Sequence, residues 1–438
     1  MAARSRTYSW YVVAVLTFVY IFSFVDRQIL TMLVRPIRRD LGISDTQMSL
    51  LMGFSFALFY TLFGMILGRI ADTRSRRGMI AIGLAAWSAF TAACGLARNF
   101  TQLFVLRMGV GVGEASLSPA AYSLIADYMP RERLATAISF YSMGIYVGTG
   151  LSYLLGGVVI GVASKQELWT LPLVGPTRPW QIIFFAVGLP GLLASLLLFT
   201  VREPARKLIR GVAEVPLGEV FAYLRRNTST FVFHSMGFGF ASLASYASGA
   251  WIPEFLRRLH HWEPAKIGLI QGIIVAIFGS LGILASGRLA DWIRARGTRE
   301  ANMKLGMWLA LIWIPLQFLL LFAPNDTWII IWLVPNAILA AAPFGISAAA
   351  IQQMMPPPMR GQASALYLFI LNLIGLGGGP TAVAMVNQYV FGRDDALNYS
   401  LLIVNVAALA LGAILLRLGL KPFLRSLDRL REWTAIHA

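Results

Sequence analysis

Apolar residues in this chain come in long blocks rather than in alternation. Twelve stretches are nearly free of charge: 10–34, 46–70, 79–98, 101–127, 133–161, 180–201, 230–258, 264–286, 303–323, 328–353, 361–390 and 397–420. Each is long enough to cross ~30 Å of hydrocarbon as a helix. Helix is required there, because a bilayer core offers no water to an unpaired backbone group, and no alternating strand pattern is present. The pattern therefore predicts an all-α polytopic membrane protein with twelve transmembrane helices.

Composition agrees. Hydrophobic residues make up 57% of the chain and charged residues 13%, against roughly 45–50% and 25% in soluble domains. The formal net charge of +17 would suit nucleic acid, but its placement argues otherwise. With twelve spans both termini share a side. Of the 37 Lys and Arg residues, 25 fall on that side, ten fall in the opposite loops, and Arg27 and Arg107 lie within spans. The positive-inside rule then makes both termini cytoplasmic. The basic charge sets topology, and no nucleic-acid partner is expected. The single cysteine, Cys94, excludes an intramolecular disulfide. The basic start, Met1 to Arg6, leads into a span too long and too aromatic for a cleaved signal peptide.

The longest polar stretch, 202–229, splits the spans into two sets of six. The expected domains are a bundle at 1–201, a cytoplasmic linker at 202–229, a bundle at 230–420 and an amphipathic cytoplasmic tail at 421–438. The halves echo each other: "GRIADTRSRRG" at 68–78 and "GRLADWIRARG" at 287–297 match at an offset of 219 residues. That is half the chain, at equivalent topological positions, which indicates duplication. In the tail, Phe423, Leu427 and Leu430 share one helical face among arginines, which predicts a helix lying on anionic lipid.

Four charges lie deep within spans of the first half: Asp26, Arg27, Arg107 and Glu114. Each costs about 2.5–3.5 kcal/mol at a helix centre, so four without partners would cost on the order of 10 kcal/mol. They should face the bundle interior, pair, or meet water. Arg107 and Glu114, seven apart, lie two turns along nearly the same face, with Ser118 a turn further. Asp26 and Arg27 are adjacent and must point differently. A static network tying helices together is the plain alternative, although buried ion pairs are weak devices for stability. The functional reading makes Asp26 and Glu114 proton carriers, since burial and a nearby arginine pull a carboxyl in opposite directions. Arg27 and Arg107 keep their charge and, with Ser118, suit an anionic head group.

The glycines of "RMGVGVGE" do not form a dinucleotide loop, for no strand precedes them and the spacing is wrong. In a membrane helix such glycines admit a close neighbour, as do those of "MGIYVGTGLSYLLGG" at 143–157, while "GLGGGP" at 375–380 predicts a bend. Tyr146 and Tyr153, together with Tyr246, Tyr367 and Asn372, are weaker candidates for cavity lining. The second half carries no charge in the middle of a span, only Gln271, Gln317, Asn336, Asn372 and serines. The four histidines, His234, His260, His261 and His437, are placed near span ends or in the tail, with no metal-ligand spacing. No metal, cofactor or catalytic constellation is expected, so the chain is not read as an enzyme.

At these motifs the chain resembles a known family. "GRIADTRSRRG" resembles the major facilitator loop signature after helix 2, and "RMGVGVG" the family's helix 4 motif. "FVDRQIL" and "GVGEASLSPAAYSLIADYMPRERLATAISFY" resemble the spinster branch, the sphingosine-1-phosphate and lysolipid transporters. The short loops and tails suggest a bacterial member. The resemblance implies a monomeric, proton-coupled, alternating-access carrier of single-chain lipids in the plasma (inner) membrane, with Asp26, Arg27, Arg107 and Glu114 as its functional set. The loop residues Gly68, Asp72, Arg74, Arg77, Gly287 and Asp291 are then gating positions. Thr73 and Ser75 depart from the signature, which expects a basic residue and a glycine there, and Arg74 is the candidate substitute. The rival readings are a proton-coupled carrier of small organic anions or drugs and, further off, a membrane-embedded lipid enzyme.

Overall fold

The computed structural model describes residues 6–163, 165–172, 174–204, 217–356 and 359–437. The chain begins with α1 (Arg6–Met32), α2 (Val34–Leu41) and α3 (Asp45–Ser49), then passes through a π-helical turn at Leu50–Phe54 into α4 (Ser55–Thr73). Next come α5 (Arg76–Cys94), α6 (Phe100–Glu114), α7 (Leu117–Tyr128) and α8 (Arg131–Ala163). A small hairpin of β1 (Trp169–Leu171) and β2 (Gly175–Thr177), antiparallel with Trp169 opposite Thr177, leads to α9 (Pro179–Ala194). The remainder is α10 (Leu217–Arg226), α11 (Thr228–Leu259), α12 (Pro264–Ile274), α13 (Ser280–Ala295), α14 (Ala301–Leu321), α15 (Asp326–Met354), α16 (Arg360–Asn372), α17 (Gly379–Met385) and α18 (Leu397–His437).

Polar residues punctuate this helical chain. Gly42, at φ +65°, ends α2, and Ser44 with Gln47 forms a capping box that starts α3. Ser75, Asn99 and Asn325 cap α5, α6 and α15 by accepting from backbone N–H groups. Such caps satisfy donors that a helix start leaves unpaired. Ten helical segments among the described residues are long and apolar enough to cross a membrane. The other two of the twelve spans are α11 and the pair α6–α7, which is interrupted at Ala115 and Ser116. The bend expected at 375–380 is met by a π-helical stretch, Leu373–Gly378, between α16 and α17.

Two compact units divide the chain: Met1–Leu208 with Ile252–Ile277, and Ile209–Trp251 with Phe278–Ala438. In the first, α8 packs along α1 on one side and α12 on the other. Glycines set the second contact: a Cβ on Gly268 would stand 2.3 Å from the Tyr153 carbonyl oxygen. Arg258 holds both Asp45 oxygens, at 2.8 and 2.9 Å, and Glu254 at 2.8 Å, while Arg38 reaches Asp45 at 3.0 Å.

In the second unit, α14 packs against α15 and α18. Its core holds an amide network: Trp313 and Gln317 donate to Asn336 Oδ1 at 2.7 and 2.8 Å, and Asn405 donates to Gln317 and to Ser248. The tail continues α18 without a break. Phe423, assigned from the sequence to a lipid-facing stripe, is instead buried in protein, and the hydroxyls of Thr230 and Ser426 bond at 2.7 Å. Apolar side chains elsewhere remain on the outside, Ile82 and Leu193 most of all, as a lipid-facing surface allows.

Candidate functional site

The four deep charges converge in the first unit, and all are buried: Asp26, Arg107 and Glu114 are at most 1% exposed, and Arg27 7%. Adjacent on α1, Asp26 and Arg27 diverge as expected. Arg27 Nη2 meets Glu114 Oε2 at 2.7 Å, and the Ser23 hydroxyl donates to the same oxygen at 2.8 Å. Ser23 and Arg27 are one helical turn apart, so a single face of α1 grips Glu114. The guanidinium of Arg27 also lies over the rings of Phe24, Phe56 and Tyr60, at 4.6, 4.3 and 5.1 Å. Such cation–π contacts lower the cost of a buried cation.

Asp26 turns the other way, towards α5. Thr91 Oγ1 donates to Asp26 Oδ2 at 3.4 Å, and Asp26 Oδ1 has no hydrogen-bond partner. Arg107 Nη1 donates to the Asp26 backbone carbonyl at 3.3 Å rather than to the carboxylate, and its Nε and Nη2 bond nothing. The site thus holds one carboxylate in a close ion pair and a second one outside it.

The glycines of the helix 4 motif are what let the neighbours in. A Cβ on Gly109 would fall 2.6 Å from the Phe90 ring. One on Gly111 would lie 2.8 Å from the Phe56 carbonyl, and one on Gly113 2.8 Å from Trp87 Cβ. Helix α6 is therefore squeezed between α4 and α5. The stripe expected through Ser118 is broken, because α6 ends at Glu114 and α7 begins at Leu117. Ser118 is half-buried and faces the hydroxyls of Tyr20 and Tyr141.

Other sequence candidates are scattered. Tyr146 and Tyr153 are buried in the first unit. In the second, Tyr367 donates to Ser347 Oγ at 2.5 Å, Tyr246 packs edge-on against Phe344, and Asn372 is half-buried. His234, placed near a span end from sequence, sits in the core of that unit with Nε2 on the Ser347 carbonyl at 2.9 Å, between Phe238 and Tyr367.

Sequence reasoning missed several residues. Tyr20, Ser23 and Arg27 share a face of α1 at spacings of three and four, a signal that was available. Tyr141 stacks on Tyr20 at 4.4 Å, with Tyr122 edge-on to it at 5.4 Å. Nothing local connects Tyr141, Tyr122, Thr91 or Trp87 to α1.

With this geometry in view, comparison with known proteins is decisive. A family model described as the Major Facilitator Superfamily matches residues 16–380. The chain belongs to the major facilitator superfamily. It is 27% identical over 412 residues to an MFS-type efflux pump of Mycolicibacterium smegmatis, covering 93% of this chain and 91% of that one. It is 27% identical over 404 residues to the mouse sphingosine-1-phosphate transporter SPNS2, covering 86% and 69%. Among solved structures it resembles a bacterial homologue of the human lysosomal transporter spinster, crystallised inward-facing and unoccupied. That match has a TM-score of 0.80 and 27% identity, and it covers 96% of this chain and 99% of that one. The protein is thus an integral membrane transporter of spinster type.

The superfamily loop signature at 68–78 is anchored by a residue not singled out from sequence. Arg76 is buried and meets Asp127 at 2.5 Å and Glu203 at 2.9 Å, and it donates to Ser123 and the Pro204 carbonyl. Burial opposes ionisation of Glu203. The Arg77 backbone N–H, Arg76 and Ser75 outweigh it and hold the carboxyl below its ordinary range. Arg77 donates to the Val201 carbonyl at 3.2 Å, and Arg74 is exposed. Gly68 approaches Pro119, while the Asp72 side chain lies outside the described residues. In the echo loop, Gly287 has open space around it, and Asp291 pairs with Arg294 at the surface.

Proposed function

We propose that this protein is a proton-coupled, alternating-access carrier of single-chain amphipathic lipids with an anionic or zwitterionic head. The observation that carries the reading is the asymmetry of the buried site. Glu114 is ion-paired to Arg27, while Asp26, one residue away on α1, accepts only one long side-chain bond. Protonation of Glu114 would release the Arg27 guanidinium for an anionic head group. Asp26 is the carboxyl whose charge depends on how its neighbours are arranged. A ligand or proton shifts a conformational equilibrium only through its different affinity for the two states, and such a group supplies that difference. Similarity to the mouse sphingosine-1-phosphate transporter supports a phosphate-bearing lipid head.

The protein reconstituted in liposomes under an imposed pH gradient provides the test. Lysophosphatidylcholine, lysophosphatidylethanolamine and sphingosine 1-phosphate should be taken up, and Asp26→Asn should bind them but lose gradient-driven uptake. Uptake of sugar acids with no uptake of lysolipids would overturn the lipid reading. The efflux-pump name of the mycolicibacterial relative favours a second reading, export of drug-like amphiphiles through the same site. Ethidium in the same panel separates the two.

A further inference from the structure

The polar face that α5 turns to Asp26 has no role in the reading above. Trp87, Thr91 and Cys94 recur at spacings of four and three, so they share one face of that helix, and all three are completely buried. Thr91 donates to Asp26 Oδ2 at 3.4 Å. The Trp87 indole lies by the same carboxylate, and its buried N–H has no hydrogen-bond partner. Gly113 of α6 packs directly on the start of this face, where a Cβ would stand 2.8 Å from both Trp87 Cβ and Trp87 N. A buried indole N–H or hydroxyl without a partner is costly, so a tryptophan and a threonine held against a carboxylate answer a need on both sides.

The groups around Asp26 are few. From α6 come Arg107, which spends one N–H on the Asp26 carbonyl, and Glu114, which is held by Arg27. From α5 comes Cys94. From α8 comes Ser152, whose hydroxyl donates to the Val25 carbonyl at 3.2 Å. The stretches of α4 at 55–68 and α8 at 134–163, and the whole of α9, contain no charged residue. The Asp127 carboxylate of α7 is engaged with Arg76.

We propose that Thr91 and Trp87 of α5 are positioning residues that favour the ionised form of the Asp26 carboxylate, Thr91 by donating a hydrogen bond to it and Trp87 by presenting it with a buried N–H that has no other partner. The inference rests on the reading of Asp26 as the proton-carrying group. Arg107 supplies a diffuse field, whereas Thr91 and Trp87 supply directed donors that favour the charged form, because a carboxylate accepts a hydrogen bond more strongly than a neutral carboxyl does. Movement of α5 relative to α1 then changes how readily Asp26 takes a proton, with no change in Arg107.

Infrared titration of the full-length protein in lipid tests this without any transported ligand. The protonated-carboxyl C=O band is assigned to Asp26 by its loss in Asp26→Asn. Thr91→Val, nearly the same shape without the hydroxyl, should raise the midpoint of that band by about one pH unit, a tenfold change in proton affinity. Trp87→Phe should move it in the same direction, and Thr91→Ser should restore the original midpoint. A merely structural loss would lower the amount of folded protein and leave the midpoint in place. If Thr91→Val and Trp87→Phe both leave the midpoint unmoved, or if no Asp26 band responds to pH, the proposal is wrong. If the band shifts as expected while Asp26→Asn still takes up lysolipid under a pH gradient, the positioning role stands and the coupling assignment of Asp26 fails.

Discussion

Arg107 donates to the backbone carbonyl of Asp26 at 3.3 Å, while the Asp26 carboxylate accepts from the Thr91 hydroxyl at 3.4 Å. The two arginines of the buried site therefore differ in kind. Arg27 is an ion-pair partner, and Arg107 donates to the backbone of α1 and still has two nitrogens, Nε and Nη2, that bond nothing.

The first prediction concerns that ion pair. Removing one member leaves the other charge buried and unpaired, at a cost of about 3–5 kcal/mol. Arg27→Met alone should lower the melting temperature of the purified protein sharply, and so should Glu114→Met. The double replacement should recover much of the loss and yet transport nothing. Single variants as stable as the parent protein would show that the pair contributes nothing to the fold.

Glu203 gives a pH-dependent stability with a definite sign. Its folded-state pKa is lowered, so the stabilisation is complete above the ordinary carboxyl range of about 4.3. It is lost as pH falls from about 5 through the folded value. Thermal unfolding recorded at falling pH should show the parent protein converging on Glu203→Gln. Parallel curves at every pH would contradict the assignment.

Asn336 was a mild polar residue in the sequence, but it accepts from both Trp313 and Gln317. Asn336→Ala leaves those two donors buried without a partner, each at about 1–3 kcal/mol. Asn372, half-buried at the end of α16, should tolerate alanine far better. The comparison needs only melting temperatures in one detergent.

Close approach at the helix 4 motif predicts a contrast between glycines. Gly113→Ala places a methyl 2.8 Å from Trp87 backbone and side chain and should destabilise by about 1–3 kcal/mol. Gly64 has nothing within 4 Å, so Gly64→Ala should be neutral or slightly stabilising through helix propensity. Equal effects would mean that α5 and α6 do not pack as tightly as described.

The expected topology is open to chemical labelling. Arg74 and Ala295 are exposed and sit in echoing loops, and the one native cysteine, Cys94, is buried. Cysteines at 74 and 295 should both react with an impermeant maleimide from the cytoplasmic side alone. Reaction of either one only from outside would invert the topology.

Much of this protein was legible without coordinates, because a bilayer admits few solutions. Runs of twenty apolar residues must be helices, and the 219-residue echo points to two related halves. The cost of charge in hydrocarbon marked Asp26, Arg27, Arg107 and Glu114 as residues that had to find one another. Spacing along one helix was equally readable, as with Tyr20, Ser23 and Arg27. Only the tertiary structure decided the pairings. Glu114 could have met either arginine, and it met Arg27, with Ser23 one turn earlier on α1 donating to the same oxygen. Thr91, Trp87, Arg76 and Glu203 carry no local mark of their partners, since those lie on other helices and the approach depends on which glycines face each other. Periodicity and transfer energy act along a segment, whereas the choice of partner depends on how helices rotate and cross, and that is set by packing.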